Sequence, residues 1–573
     1  MSETTTTTNS FQKIINNPIV LFWFYLVVNL VPSIYFVYTQ PIDGMGKAVV
    51  LLFPLATYLL YFSIFKNTGM WFVISLPILV LHAFQIVLFY LFGEDVIAAD
   101  MFLNVATTNS SEIAELLGSL LPSIVLVCVL YIPPLVLAIR AWKRGIQTPW
   151  TMRRITLIAA IAMLGVALLL SFKAENKNTQ TFSFREDVYP VNALNNLGFA
   201  ANKWDNVKRY PETSKDFTFE ATRAKTGKNR QIVVLIIGET SRADSWSLYG
   251  YQRTTNPQLS KQENLTVFKD ALTQSNTTHK SVSMILSDAD ATNYNVIYRR
   301  KGVIEAFKEA GFKTICLSNQ AENSSFIEYF TKEADIYKTI RTTDSNTRVT
   351  VNYNDEELIP IMSKLIDENK EDLFIVIHSY GSHFNYSERY PEDFRKFTPD
   401  NLTSVSKKQK DLLVNAYDNS ILYTDHFLSS TIDALKQTNS AVAMLYTSDH
   451  GEDIFDDDRG RFLHASPTPT YYQLRIPMLM WFSNQYKEEY PQMAANVRLN
   501  ETKPVSTNII FHTLLDVAEI KTRYFEPDLS VANNNFVSKD RMYLNDHDIA
   551  VPYQRMNLKP QDFEMIKKNN IKK

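Results

Sequence analysis

QIVVLIIGETS at 231–241, LFIVIHSYGSH at 373–383 and AVAMLYTSDHGE at 441–452 follow one pattern: an apolar run ending on side chains that can bind a divalent metal. Unbroken Val/Ile/Leu runs are how strands read when helices cover both faces of a parallel sheet. Open α/β sheets hold their ligands just beyond the carboxyl ends of the strands. Glu239, His378, His383, Asp449 and His450 therefore fall where chemistry is expected. Their nitrogen and oxygen donors suit Zn²⁺, and the carboxylates leave Mg²⁺ or Mn²⁺ open. One such residue alone would as readily cap a helix or pack in a core. Three buried runs with the same ending do not reduce to that reading.

Working outward, short apolar runs alternate from about 229 to 573 with amphipathic stretches such as EELIPIMSKLIDE and AYDNSILYTDHFLSSTIDALK. That alternation predicts βα units, an α/β fold with a mostly parallel central sheet flanked by helices. No internal repeat is visible.

The 573-residue chain is too long for one ordinary domain. Five stretches, about 18–38, 46–65, 71–92, 118–139 and 155–172, are long and apolar enough to cross a bilayer. Lys and Arg beside membrane helices stay in the cytoplasm. The connection after the fourth stretch carries Arg140, Lys143, Arg144, Arg153 and Arg154, and the one after the third is acidic. The expected layout is a disordered cytoplasmic tail over 1–17, a five-span membrane domain over 18–172, a surface-lying connector over 173–228 and a catalytic domain over 229–573 on the outer side. The formal net charge of −2 argues against nucleic acid as a partner. Cys128 and Cys316 fall in a span and in a soluble strand, so no disulfide framework is expected.

Metal-dependent attack on phosphorus needs a nucleophile whose pKa the metal lowers. The segment TQSNTTHKSVSMILS at 273–287 offers several hydroxyls. The run GETSRADSWSLYGYQRTTNP at 238–257 resembles the signature of the lipid A phosphoethanolamine transferases, the membrane-anchored family that includes the transferable colistin-resistance enzymes. HSYGSHFNYSERYP, YDNSILYTD, SDHGE and IPMLMWFS are similar to later blocks of that family, in the same order.

The resemblance implies an alkaline-phosphatase-like fold and a zinc ion held by Glu239, Thr278, Asp449 and His450, with a second metal left open. Thr278, selected over Thr277 by aligning SVSM at 281–284, would be the nucleophile. His383 and His464, with His378 nearby, would flank the substrate phosphate or hold the second metal. The sequence by itself reads His464 as capping or exposed. Asn104, Thr108 and Glu112 recur at helical spacing as one polar stripe, and the family grips the donor head group with a matching trio. The implied reaction takes phosphoethanolamine from phosphatidylethanolamine to lipid A or another envelope acceptor, at the periplasmic face of a bacterial inner membrane. Polymyxin resistance would follow only if the acceptor is lipid A.

This chain departs from the pattern in places. Gln274 and Met284 stand where better-known members have cysteines, and Ser324 stands where they carry a Lys near the substrate phosphate. His279 and Lys280 are read as solvent-facing, with a compensating role as the alternative. The rival readings are a phosphoglycerol transferase of the lipoteichoic-acid-synthase type and a non-catalytic, lipid-binding envelope protein. A sulfatase is disfavoured, since no Cys/Ser-x-Pro-x-Arg site is found.

Overall fold

The computed structural model describes residues 12–93, 95–107, 110–177, 181–322, 325–341, 353–402, 405–556 and 558–572, with backbone only over 104–119. It divides into two compact units, Met1–Phe102 with Ser119–Ala200, and Leu103–Gly118 with Ala201–Lys573.

The first unit is helical. Helices α1 (Pro18–Thr39) and α2 (Gly44–Ile64) are followed by α3 (Thr68–Ile74) and α4 (Leu76–Phe92). After α5 (Ala99–Thr107) come α6 (Ser110–Lys143) and α7 (Trp150–Ser171). Four of these, counting Leu120–Lys143 of α6, could each cross a membrane, and the α3–α4 pair, bent by 60°, makes a fifth. The bend falls where Pro77 opens α4, since proline donates no hydrogen bond and clashes with the preceding turn. α7 starts earlier than its hydropathy suggests because Arg153 is used by the fold. Its guanidinium donates to the carbonyls of Ser63 (2.9 Å) and Ile64 (2.6 Å) at the end of α2, which satisfies groups a helix end leaves open. Asn104, Thr108 and Glu112 lie outside the described side chains.

The connector contains one long helix, α8 (Val191–Thr213). The second unit is built on a seven-stranded sheet: β1 (Gln231–Gly238), β2 (Leu265–Val267), β3 (Lys313–Ser318), β4 (Ile336–Thr339), β5 (Leu373–His378), β6 (Ala441–Ser448) and β7 (Met478–Phe482). Its order is β2-β7-β6-β1-β5-β3-β4. β6, β1, β5, β3 and β4 are parallel, and β7 pairs antiparallel with both β6 and β2. The three strands read from the sequence sit side by side at the centre, buried at every position. The register aligns their carboxyl ends: Ile237 faces His378 and Gly238 faces Ser448. Helices α9 (Thr278–Ile285), α10 (Leu358–Glu368), α11 (Lys410–Lys436) and α12 (Ile509–Val517) belong to this unit, the middle two being the amphipathic stretches predicted above.

Candidate metal centre

Glu239 and Asp449 are the first residues past β1 and β6, so the register alone brings their carboxylates to one edge. The loop after β5 then closes over Glu239. Gly381 makes this crossing, with φ +52° and a Cβ position only 2.8 Å from the Glu239 carbonyl oxygen, where no side chain fits. Thr240 also holds a left-handed φ of +61°. Its N–H donates to Asp449 Oδ1 (3.0 Å) and its hydroxyl to Glu239 Oε1 (2.9 Å).

Thr278, the first residue of α9, puts Oγ1 3.2 Å from Glu239 Oε1 and 3.0 Å from His450 Nε2. Its neighbour Thr277 turns its hydroxyl to Ser275 instead (3.1 Å). Asp449 Oδ1 accepts from the His450 N–H (2.7 Å) as well. Its other oxygen, Oδ2, is buried with no hydrogen-bond partner among the described residues, 3.2 Å from His450 Nε2.

The imidazoles are wired alike. His450 Nδ1 lies 2.9 Å from the Gly451 carbonyl and His383 Nδ1 2.6 Å from the Phe384 carbonyl. A carbonyl can only accept, so each Nδ1 carries the proton and leaves Nε2 as the basic nitrogen. His464 Nδ1 lies 2.8 Å from Glu452 Oε2, and Glu452 Oε1 accepts from Tyr386 Oη (2.8 Å). Leu463 and Ala465, on either side of His464, have φ of +69° and +59°. Burial holds His378, His450 and His464 neutral, each pushed down to about 4. It also drives the Glu239 carboxyl well up, helped by the Asp449 charge, and Glu452 up to about 8.

Ligand atoms of Glu239, His450 and His464 all lie within 4.8 Å of one another. The site thus gathers buried carboxyls, with those of Glu239 and Glu452 pushed up, an orphaned carboxylate oxygen and imidazole lone pairs. A cation in place of protons relieves that arrangement, so the residues fit a divalent metal. His378 ends β5, with Nε2 buried and without a partner among the described residues, and it is not in the close group. His383 stacks on Tyr380 (4.8 Å, 22°), whose ring also carries the guanidinium groups of Arg341 (3.7 Å) and Arg389 (4.4 Å). Sequence reasoning missed Glu452, Arg341, Arg389 and Gln320, whose amide lies 3.5 Å from Glu239 Oε2. Glu452 and Arg389 stood inside quoted blocks, and Arg341 had no local signal.

Lys280 is not solvent-facing. It is fully buried, donating to the Asn545 carbonyl (2.7 Å) and pairing with Asp548 (3.0 Å), which also takes Lys203 of α8 (2.9 Å). Asp548 lies in the hairpin joining Met542–Leu544 to Ala550–Pro552. The same hairpin braces the approach to Thr278: the Leu544 N–H donates to the Gln274 carbonyl (2.8 Å) and Tyr543 Oη to Asn276 Oδ1 (2.6 Å). Ser324 lies outside the described residues.

The sulfatase family model matches residues 231–520. The chain is 31% identical over 309 residues to phosphoethanolamine transferase EptA of Escherichia coli K12, covering 52% of this chain and 55% of that protein. It is 28% identical over 356 residues to the Kdo(2)-lipid A phosphoethanolamine 7''-transferase of the same organism, covering 60% and 61%. The chain thus spans little more than half the length of these curated relatives. Among solved structures, the integral membrane lipooligosaccharide phosphoethanolamine transferase A of Neisseria meningitidis matches with a TM-score of 0.69 at 22% identity, over 89% of this chain and 97% of that one. The C-terminal periplasmic domain of E. coli EptC, solved in complex with Zn, matches with a TM-score of 0.53 at 25% identity, over 59% and 96%. The apolar helices followed by a mixed sheet flanked by helices are the architecture of these proteins.

Proposed function

The chain belongs to the sulfatase family, and on that premise we propose that it transfers phosphoethanolamine from phosphatidylethanolamine to an envelope acceptor, lipid A first among them. The observation that carries this reading is the Thr278 hydroxyl, set between Glu239 and His450 at the carboxyl edge of the sheet. The names of the relatives support the group transferred and the class of acceptor.

Glu239, Asp449 and His450, with Thr278, would hold one zinc ion. When bound, the metal supplies positive charge that lowers the pKa of a hydroxyl and offsets negative charge on phosphoryl oxygens. Thr278 Oγ1 forms a bond to the donor phosphorus as the bond from phosphorus to the glycerol oxygen breaks. The phosphoethanolamine then rests on Thr278 while diacylglycerol leaves. His383, neutral with a basic Nε2, and His464, neutral beside Glu452, take the proton shed by the nucleophile and return it to the glycerol oxygen. The acceptor oxygen then bonds to the phosphorus as the bond from phosphorus to Thr278 Oγ1 breaks, and the acceptor's proton passes through the same imidazoles to Thr278 Oγ1. Glu452 orients the His464 ring through Nδ1. His378 stands nearby for the phosphate or a second metal, and Asn104, Thr108 and Glu112 are assigned to the donor head group. The spans would place residues 18–172 in the inner membrane, the N-terminus in the cytoplasm and residues 229–573 in the periplasm.

Peptide mass spectrometry after incubating the detergent-purified protein with phosphatidylethanolamine, and separately with phosphatidylglycerol, tests this. Phosphoethanolamine on Thr278 is expected. Phosphoglycerol there would assign the rival transferase, and no adduct with either lipid would overturn the covalent mechanism.

A further inference from the structure

The helix that begins at Thr278 is eight residues long, roughly 12 Å at helical rise, and a separate polar cavity opens just past its far end. The cavity has a volume of about 260 Å³ and is walled by the 287–293 turn, Arg300, the start of α12 and the 523–529 segment.

Its polar atoms have a definite sense. Asp288 is 8% exposed; one oxygen pairs with Arg300, and Oδ1 is buried with no hydrogen-bond partner among the described residues. His512 Nδ1 accepts the Glu526 N–H at 3.0 Å, so its neutral ring carries the proton on Nε2. Both residues line the cavity, so its wall holds a carboxylate acceptor and an imidazole donor. Phe511 and Tyr524 add aromatic walls, and Arg523 lies at the rim.

A metal ion does not fit this set. Asp290 Oδ1 is already engaged by the N–H groups of Thr292 (2.7 Å) and Asn293 (3.0 Å), and the His512 lone pair is taken. An isolated anion meets Asp288, Asp290 and Glu526, and an isolated ammonium meets Arg300 and Arg523. Hydroxyl groups, which donate and accept, match both partners, and the carbon skeleton of a ring suits aromatic walls. The volume lies just under the range of ordinary small-molecule sites, which favours a single ring.

We propose that this cavity binds one neutral sugar ring, with one hydroxyl donating to Asp288 Oδ1 and another accepting from His512 Nε2–H. The site is distinct from the metal centre and needs no phosphoryl chemistry. In a glycan substrate it would hold a part remote from the reacting group, where contacts contribute to orientation.

The test uses the full chain in a detergent without sugar head groups, titrated with methyl α-mannoside and N-acetylglucosamine and followed by saturation-transfer NMR and calorimetry. Inorganic phosphate and ethanolamine serve as charged probes. Saturable binding of at least one sugar is expected, weakened at least about tenfold by Asp288→Asn and by His512→Asn. The second variant guards against misfolding: the Asn oxygen can still accept the Glu526 N–H while the Nε2 donor is gone. Absence of sugar binding, binding indifferent to His512→Asn, or phosphate or ethanolamine binding in place of sugar would each overturn the proposal.

Discussion

His450 and His512 are buried imidazoles in the same α/β unit, both pushed down to about 4 by burial, yet they present opposite chemistry. His450 gives its Nδ1 proton to a carbonyl and offers a lone pair at Nε2; His512 takes a backbone N–H at Nδ1 and offers a proton at Nε2. Charge does not distinguish them. The backbone group opposite Nδ1 does, and it decides whether a buried histidine can ligate a metal or donate to a hydroxyl.

The comparison can be broken most sharply at Thr278. Thr278→Ala should reduce turnover by on the order of 10³-fold or more while sugar binding at the Asp288 cavity stays intact; loss of both would mean that the two sites are one. Next comes the same substitution at the two histidines. His450→Asn keeps a donor toward the Gly451 carbonyl but removes the Nε2 lone pair, so metal analysis should show zinc lost, whereas His512→Asn should leave zinc content unchanged. Smaller still is Glu452→Gln, which alters the partner that orients His464 through Nδ1. Roughly 10- to 100-fold in metal affinity or activity is expected, and a full-strength variant would show that the orientation of His464 does not depend on Glu452.

The smallest effect concerns burial acting on a carboxyl. Burial pushes Glu333 up to about 8 even though the Gly302 N–H donates to it. Its folded pKa is above the unfolded value, so its contribution to stability is complete below about 4.5 and is lost as pH rises through about 8. Melting temperature should fall by a few degrees across that window, and Glu333→Gln should flatten the slope. An unchanged slope would remove burial as the cause.

Much of this was legible in the sequence for a physical reason. β1, β5 and β6 are covered on both faces, so their hydrophobic runs are unbroken and their ends conspicuous. The membrane helices announce themselves by hydropathy, which does not register the break at Pro77. Thr278 emerged by resemblance, since spacing alone left several hydroxyls open. Lys280 was misread because a lysine in a polar segment looks solvated; its burial depends on Asp548, far along the chain. Asp288 and His512 meet only through tertiary packing, and neither carries a local pattern.

The Lys203–Asp548–Lys280 cluster sets a limit on how far the chain can be shortened. The residues from Met542 onward look like a dispensable tail from their charged ending, but removing them would take away Asp548, the carboxylate that two buried ammonium groups share, and losing one partner of a buried pair costs on the order of 3–5 kcal/mol. It would also strip the brace from the 274–276 segment that leads to Thr278. The C-terminal hairpin is thus a brace for the segment that carries Thr278, and a trimmed protein should fail as a catalyst even though every proposed ligand is retained.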